Sequence, residues 1–237
     1  MVRKYYGRRR TTRRVAYGGK RRRTIKRWAG EKPSIMDKIA RYAGPVGRIA
    51  RTVSSIAQMV NTEKKYVDNT SSLIAVPNTG VVVANYTTMP QGLGDNSRIG
   101  NSIKGKSISG KLYLSKNIGV QTTGLRLLWV LDKECDGTVP SLAQILDSVD
   151  IVSGVNRDFS KRYVILKDQL MTLNDGGGQT KFRKFFFPTD FHVHFDGPTA
   201  AIGDAKENQV FLFALSDQAL GTAPLLTHFG RFNYYDN

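Results

Sequence analysis

The sequence predicts an all-β domain, an antiparallel sandwich or barrel, preceded by a polycationic arm and a short helical segment. Three observations lead there. Nine runs rich in Val, Ile, Tyr and Phe follow one another between residues 64 and 235, punctuated by turn residues. They show no regular strand–helix alternation, which argues against a parallel α/β fold. The charge is also segregated: the 237 residues carry 36 Lys/Arg and 19 Asp/Glu, a net +17, yet residues 66–237 hold 16 of each sign. A neutral folded body with a basic appendage follows from that distribution.

The arm spans residues 1–32. Its first 27 residues contain Arg3, Lys4, Arg8, Arg9, Arg10, Arg13, Arg14, Lys20, Arg21, Arg22, Arg23, Lys26 and Arg27 and not one acid. Gly7, Gly18 and Gly19 interrupt the clusters and no apolar period is present, so the segment buries too little surface to offset its ordering entropy and is expected to be disordered when free. Its partner is a dense polyanion, because guanidinium forks bind phosphate bidentately and release counterions. Tyr5, Tyr6, Tyr17 and Trp28 lie among the cations and offer stacking faces to unpaired bases, which favours a single strand. The blander reading is a solvated tail or a nuclear localisation signal that binds import receptors.

Residues 33–62 form the second segment. Ile35, Ile39, Tyr42, Val46, Ile49, Val53, Ile56 and Val60 recur at spacings of four and three, an amphipathic helical stripe. Ser34 and Asp37 start it, and Gly44-Pro45 breaks it into a short helix and a longer one. Packing under the main domain or against another copy, lying on a membrane surface, and extending the nucleic-acid surface all fit this stripe. Membrane contact is the less favoured, and no apolar run reaches spanning length.

In the body, residues 63–237, strands are expected at about 64–76, 80–89, 103–116, 122–132, 161–173, 181–187, 190–196, 207–216 and 226–235, with one helix at about 140–147. Between the second and third runs lies a Gly-rich loop, Gln91-Gly92-Leu93-Gly94-Asp95-Asn96-Ser97-Arg98-Ile99-Gly100-Asn101-Ser102-Ile103. It lacks the Lys-Ser/Thr end of a phosphate-binding loop, so its chemistry is that of a structured turn with one fixed charge, Arg98.

That run, with Gln91, Gly92, Gly94, Asp95, Asn96, Arg98, Gly100 and Ile103 in register, resembles a motif in the single jelly-roll coat proteins of small circular Rep-encoding single-stranded DNA viruses. The coat proteins of satellite tobacco necrosis viruses are similar. The Arg-rich arm and the aromatic end, Phe229 to Tyr235, fit the same resemblance, which covers about residues 63–237. It implies an eight-stranded antiparallel jelly-roll sandwich whose copies, most simply 60, close an icosahedral shell around a genome held by the arms, with DNA favoured over RNA. A virion protein that passes through the host nucleus during assembly is the corresponding expectation. The alternatives are a non-assembling nucleic-acid-binding β-barrel with a basic tail and the coat protein of a satellite-type RNA virus.

Catalysis finds little support. Asp190, His192, His194 and Asp196 alternate along one strand and share a face, a weak metal candidate against the simpler reading of a polar outer face, while Phe191, Val193 and Phe195 point to the core. Lone Cys135 sits among Glu134 and Asp136, which should raise its pKa. No HExxH, Gly-x-Ser-x-Gly or Walker A pattern occurs, so neither an enzyme nor a cofactor is expected. The N-terminus has no apolar stretch of the kind that marks a secretory signal.

Overall fold

The computed structural model describes residues 63–175 and 179–236. The arm and the amphipathic segment therefore lie outside the described residues. Among the described residues ten strands form two antiparallel sheets. The first takes β1 (Glu63–Ala75), β10 (Leu225–Asp236), β3 (Ser102–Ser115) and, along the far side of β3, β6 (Thr180–Pro188) and β7 (His192–Phe195), with β8 (Ala205–Glu207) at its edge. The second has the order β2 (Val81–Asn85), β9 (Gln209–Ser216), β4 (Thr122–Asp132), β5 (Tyr163–Asn174). Since β6 and β7 pair successive halves of the same strand, each sheet has four principal strand positions. The chain order 1-10-3-6/7 facing 2-9-4-5 is the jelly roll expected from the resemblance.

Two breaks depart from the predicted runs for identifiable reasons. The run at 207–216 divides at Asn208, whose φ of 65° turns the chain in the left-handed region, so that β8 stays in the first sheet and β9 enters the second. The run at 80–89 stops at Asn85, whose side chain accepts the Thr87 backbone N–H at 3.0 Å and curls the chain away. The predicted helix at 140–147 shortens to a single turn, α1 (Leu142–Ile145), because Leu146 is extended and pairs with Val155.

The core explains why some runs alternate and others do not. In β10 the buried positions Leu226, His228, Gly230, Phe232, Tyr234 and Asp236 alternate with outward ones, as one buried face requires. Strand β4 reads Leu125 to Leu131 without alternation and is buried on both sides. Leu125, Leu127, Trp129 and Leu131 face the other sheet, where Trp129 meets Phe185 with ring centroids 4.9 Å apart. Leu128 and Val130 face outward into a second apolar cluster with Phe211, Phe213 and Leu215, sealed by Leu142, Ile145, Leu146 and Tyr163. The excursion that carries α1 is pinned at one end by Arg162, which donates to both oxygens of buried Asp132 at 2.9 Å. Arg126 fastens its other side, donating to Asp168 at 2.6 and 3.1 Å and to the Ser153 carbonyl at 2.7 Å.

Two glycines are dictated by close approach. Gly80 has φ of 75°, closes the turn onto the Pro77 carbonyl, and a Cβ there would collide with Leu142. At Gly230 a Cβ would enter the space of Tyr86 and His228.

Candidate functional site

The 91–103 loop folds as a cage of backbone oxygens around one arginine. Gln91 and Arg98 bracket a tight loop in which Gly92 N–H donates to the Arg98 carbonyl at 2.8 Å and Arg98 N–H to the Pro90 carbonyl at 3.0 Å. The Gln91 side chain donates to the Ile99 carbonyl at 2.7 Å, and Ser97 Oγ donates to the Gly94 carbonyl at 2.7 Å. Gly92 and Gly94 lie against Ser97 and Asn96, where added Cβ atoms would sit 3.3 Å from the Ser97 Oγ and the Asn96 Oδ1 respectively.

Arg98, the one fixed charge of the predicted structured turn, is fully buried. Its Nη1 donates to the Gly100 carbonyl at 2.7 Å and to Asn101 Oδ1 at 3.3 Å; its Nη2 donates to the Gly197 carbonyl. The guanidinium stacks over Phe195, 4.1 Å from the ring centre. Burial pulls its pKa down, while Asp204 and Asp236 act at longer range in the opposite sense. The charge therefore crosslinks two loops from inside and is unavailable to a phosphate.

The loop is also tied to both ends of the domain. The Asp95 carbonyl accepts Tyr66 N–H at 3.2 Å, and the Ser97 carbonyl accepts the Tyr234 hydroxyl at 3.0 Å. Asp236 Oδ2 accepts Ile99 N–H at 2.8 Å and the buried ammonium of Lys65 at 3.0 Å. Ile103 leaves the loop for the core. The motif is thus a fastening of β1, β3 and β10.

The strand of histidines turns its side chains as predicted but does not gather a ligand set. His192 and His194 are exposed, while Val193 and Phe195 are buried and Phe191 packs partly against the core. The two imidazoles stack with centroids 6.3 Å apart. Asp190 is engaged by Lys104 at 2.9 Å and Asp196 by Lys206 at 2.9 Å, so each carboxylate already has a cation. Among the described residues no three His, Cys, Asp or Glu converge on a metal position. The Cys135 thiol is pushed up to about 11, chiefly by burial and only then by Asp132, which corrects the emphasis on flanking carboxylates.

A surface that linear reading missed lies on the outer face of the first sheet. Strands β1, β10, β3 and β6 direct Lys64, Arg231, Lys104, Lys106, Lys111 and Lys184 to that face, with Asp68 the acid among these strands' outward positions. Tyr66, Phe182, Phe186 and Phe229 stand between the cations with 37, 77, 65 and 38 % exposure. The signal was present as the alternation Phe182, Lys184, Phe186, but only the register shows which neighbours share the face.

A model of the satellite tobacco necrosis virus coat protein family matches residues 45–233, beginning inside the amphipathic segment, earlier than residue 63 where the sequence resemblance starts. The capsid protein of Satellite tobacco necrosis virus 1 is 24 % identical over 180 residues, covering 73 % of this chain and 89 % of that protein. The coat protein of Maize white line mosaic Satellite virus is 30 % identical over 103 residues, 42 % of this chain and 47 % of that protein. Among solved structures, desmodium yellow mottle tymovirus matches with a TM-score of 0.32 and 10 % identity over 74 % of this chain and 88 % of that chain.

Proposed function

The chain belongs to the satellite tobacco necrosis virus coat protein family, and from that premise we propose that its copies close a 60-subunit shell around single-stranded nucleic acid held by the Arg-rich arm. It is a viral coat protein, a virion component with a structural, non-enzymatic role, and such proteins self-assemble into shells. The observation that carries the packaging reading is the charge division. Residues 1–65 hold 20 Lys/Arg and three acids, the entire excess of the chain. Sixty copies at +17 supply on the order of a thousand positive charges, enough to offset about a kilobase of single strand at one charge per nucleotide. The arm binds without reading sequence, since phosphate contacts position but do not specify. Filling the shell relieves repulsion between arms and so couples assembly to packaging.

Two genome chemistries follow from different observations. The satellite-virus relatives favour a satellite-type RNA genome. The resemblance carried by residues 91–103 favours single-stranded DNA, and with it assembly in the host nucleus and import-receptor binding by the clusters at 8–10 and 20–23. Nuclease digestion of the nucleic acid extracted from purified particles separates them: loss to ribonuclease selects RNA, loss to deoxyribonuclease DNA.

The test of the central proposal is the native mass of the full-length protein by light scattering, with the 260/280 nm absorbance ratio. Sixty copies of a 26.4 kDa chain weigh about 1.6 MDa. Deleting residues 1–27 should leave the domain folded and abolish packaging; unchanged nucleic-acid content in the deleted particle refutes the role of the arm.

A further inference from the structure

We propose that the outer face of the first sheet is a second binding surface for the same single-stranded nucleic acid, with Phe186 as a stacking platform between two lysine-lined grooves. This rests on the packaging reading and adds a site within the domain that the overall charge conceals.

The first observation is a pair of like charges held together. Lys111 on β3 and Lys184 on β6 are directly opposite in the antiparallel register. Cross-strand partners stand about 5 Å apart, and like charges so placed are destabilising unless an anion lies between them. Among the described residues no carboxylate is paired with either lysine, nor with Lys64 or Lys106 on the same face. Asp68 is taken by Arg231, which donates to both its oxygens at 2.6 and 2.7 Å. The face thus carries four cations without counter-charge among the described residues.

The second observation is shape. Two grooves flank Phe186, which lines both. One, of about 570 Å³, runs past Lys111, Lys184 and Phe229; the other, of about 640 Å³, runs past Lys64, Tyr66 and Lys106. Either has room for a nucleotide-sized group. Phe182 and Phe186 lie on one face of β6 with Lys184 midway, so two exposed rings stand about 14 Å apart with an ammonium between them. Rings for bases and ammonium groups for phosphates are the combination that binds unpaired strands without sequence preference. A basic segment of the same chain would be repelled here, and a purely apolar partner would leave the lysines buried and unpaired.

The test uses the full-length protein and a photoreactive 20-nucleotide oligothymidylate, with crosslinked peptides identified by mass spectrometry. Crosslinks to peptides containing Phe182, Phe186 or Phe229, together with arm peptides, support both readings. Crosslinks confined to the arm overturn the sheet site and leave the arm reading standing. Crosslinks confined to the sheet support the site and refute the arm reading; none anywhere overturns both.

A paired variant, Lys111→Gln with Lys184→Gln, should reduce the slope of log affinity against log salt by about 1.4, at about 0.7 per cation for single strands. Phe186→Ala should weaken binding about 5- to 100-fold and Phe186→Tyr restore it, with unchanged thermal melting. An unchanged slope, or a Phe186→Ala protein that alters particle mass while binding the strand normally, assigns the face to contacts between copies and overturns the proposal.

Discussion

The two sheets of this domain turn opposite chemistry to the outside. Over the second sheet, Leu128, Val130, Phe211, Phe213 and Leu215 would form an exposed apolar wall, but the chain between β4 and β5 folds back and seals them with α1. Over the first sheet nothing in the described residues closes the face, and it shows lysines and aromatic rings. A body whose charges sum to zero is therefore not a neutral surface. Electrostatic recognition depends on how charge is distributed over the surface, and antiparallel register sorts side chains by face regardless of their average.

The largest test of that contrast is a matched pair of phenylalanines. Phe213→Ala, beneath the excursion, should cost about 3–5 kcal/mol by loss of burial and the cavity left behind. Phe186→Ala on the open face should stay within about 0.5 kcal/mol. Chemical denaturation of both variants checks this, and equal losses would mean that the first sheet is covered as thoroughly as the second.

A second test concerns Arg98. Its removal strands the Gly100 and Gly197 carbonyls inside the fold, so Arg98→Met should destabilise by about 2–4 kcal/mol. Lys184→Gln, a cation removed from the open face, should change stability by no more than about 0.5 kcal/mol. Similar midpoints for the two variants would contradict the burial of Arg98.

The third test uses acid. His228 is buried, its Nε2 is hydrogen-bonded to the Tyr86 hydroxyl at 2.6 Å, and Trp129 Nε1 donates to that hydroxyl at 3.4 Å. Burial lowers its pKa to about 4 from the ordinary 6.5. Between those values the unfolded chain binds the extra proton, so stability rises with pH across that window and is lost as pH falls from 6.5 toward 4. The loss is on the order of 3 kcal/mol, and His228→Gln should flatten it in pH-dependent melting.

The smallest effect is expected of the exposed Arg231–Asp68 pair. A double-mutant cycle with Arg231→Gln and Asp68→Asn should return a coupling of no more than about 1 kcal/mol in stability. A larger coupling would make the open face a structural seam.

Much of the domain was legible because periodicity reports burial locally. The apolar and aromatic runs at 122–132 and 226–235 located β4 and β10, and the structure shows the first buried on both faces and the second on one. The division at Asn208 was not legible, since a single left-handed residue moves the chain between sheets without interrupting the pattern around it. The 91–103 loop was found by its spacing as a structured turn, but the partners of its charge were not legible: nothing adjacent to Arg98 announces that Gly197 supplies a carbonyl and Phe195 a ring. The aspartates at 190 and 196, a weak ligand candidate beside two histidines against the simpler reading of a polar outer face, are taken up by Lys104 and Lys206 from other strands.

By itself the sequence determined the strand succession, the seat of the excess charge and the motif that resembles coat proteins. These are properties of near neighbours, set by side-chain alternation, charge counts and turn chemistry. Only the tertiary structure decided which side chains share a surface. Lys111 and Lys184 are separated by more than seventy residues, and hydrogen-bonded register alone sets them opposite one another. Whether a charge is displayed, as theirs is, or enclosed, as that of Arg98 is, depends on how distant strands close over it.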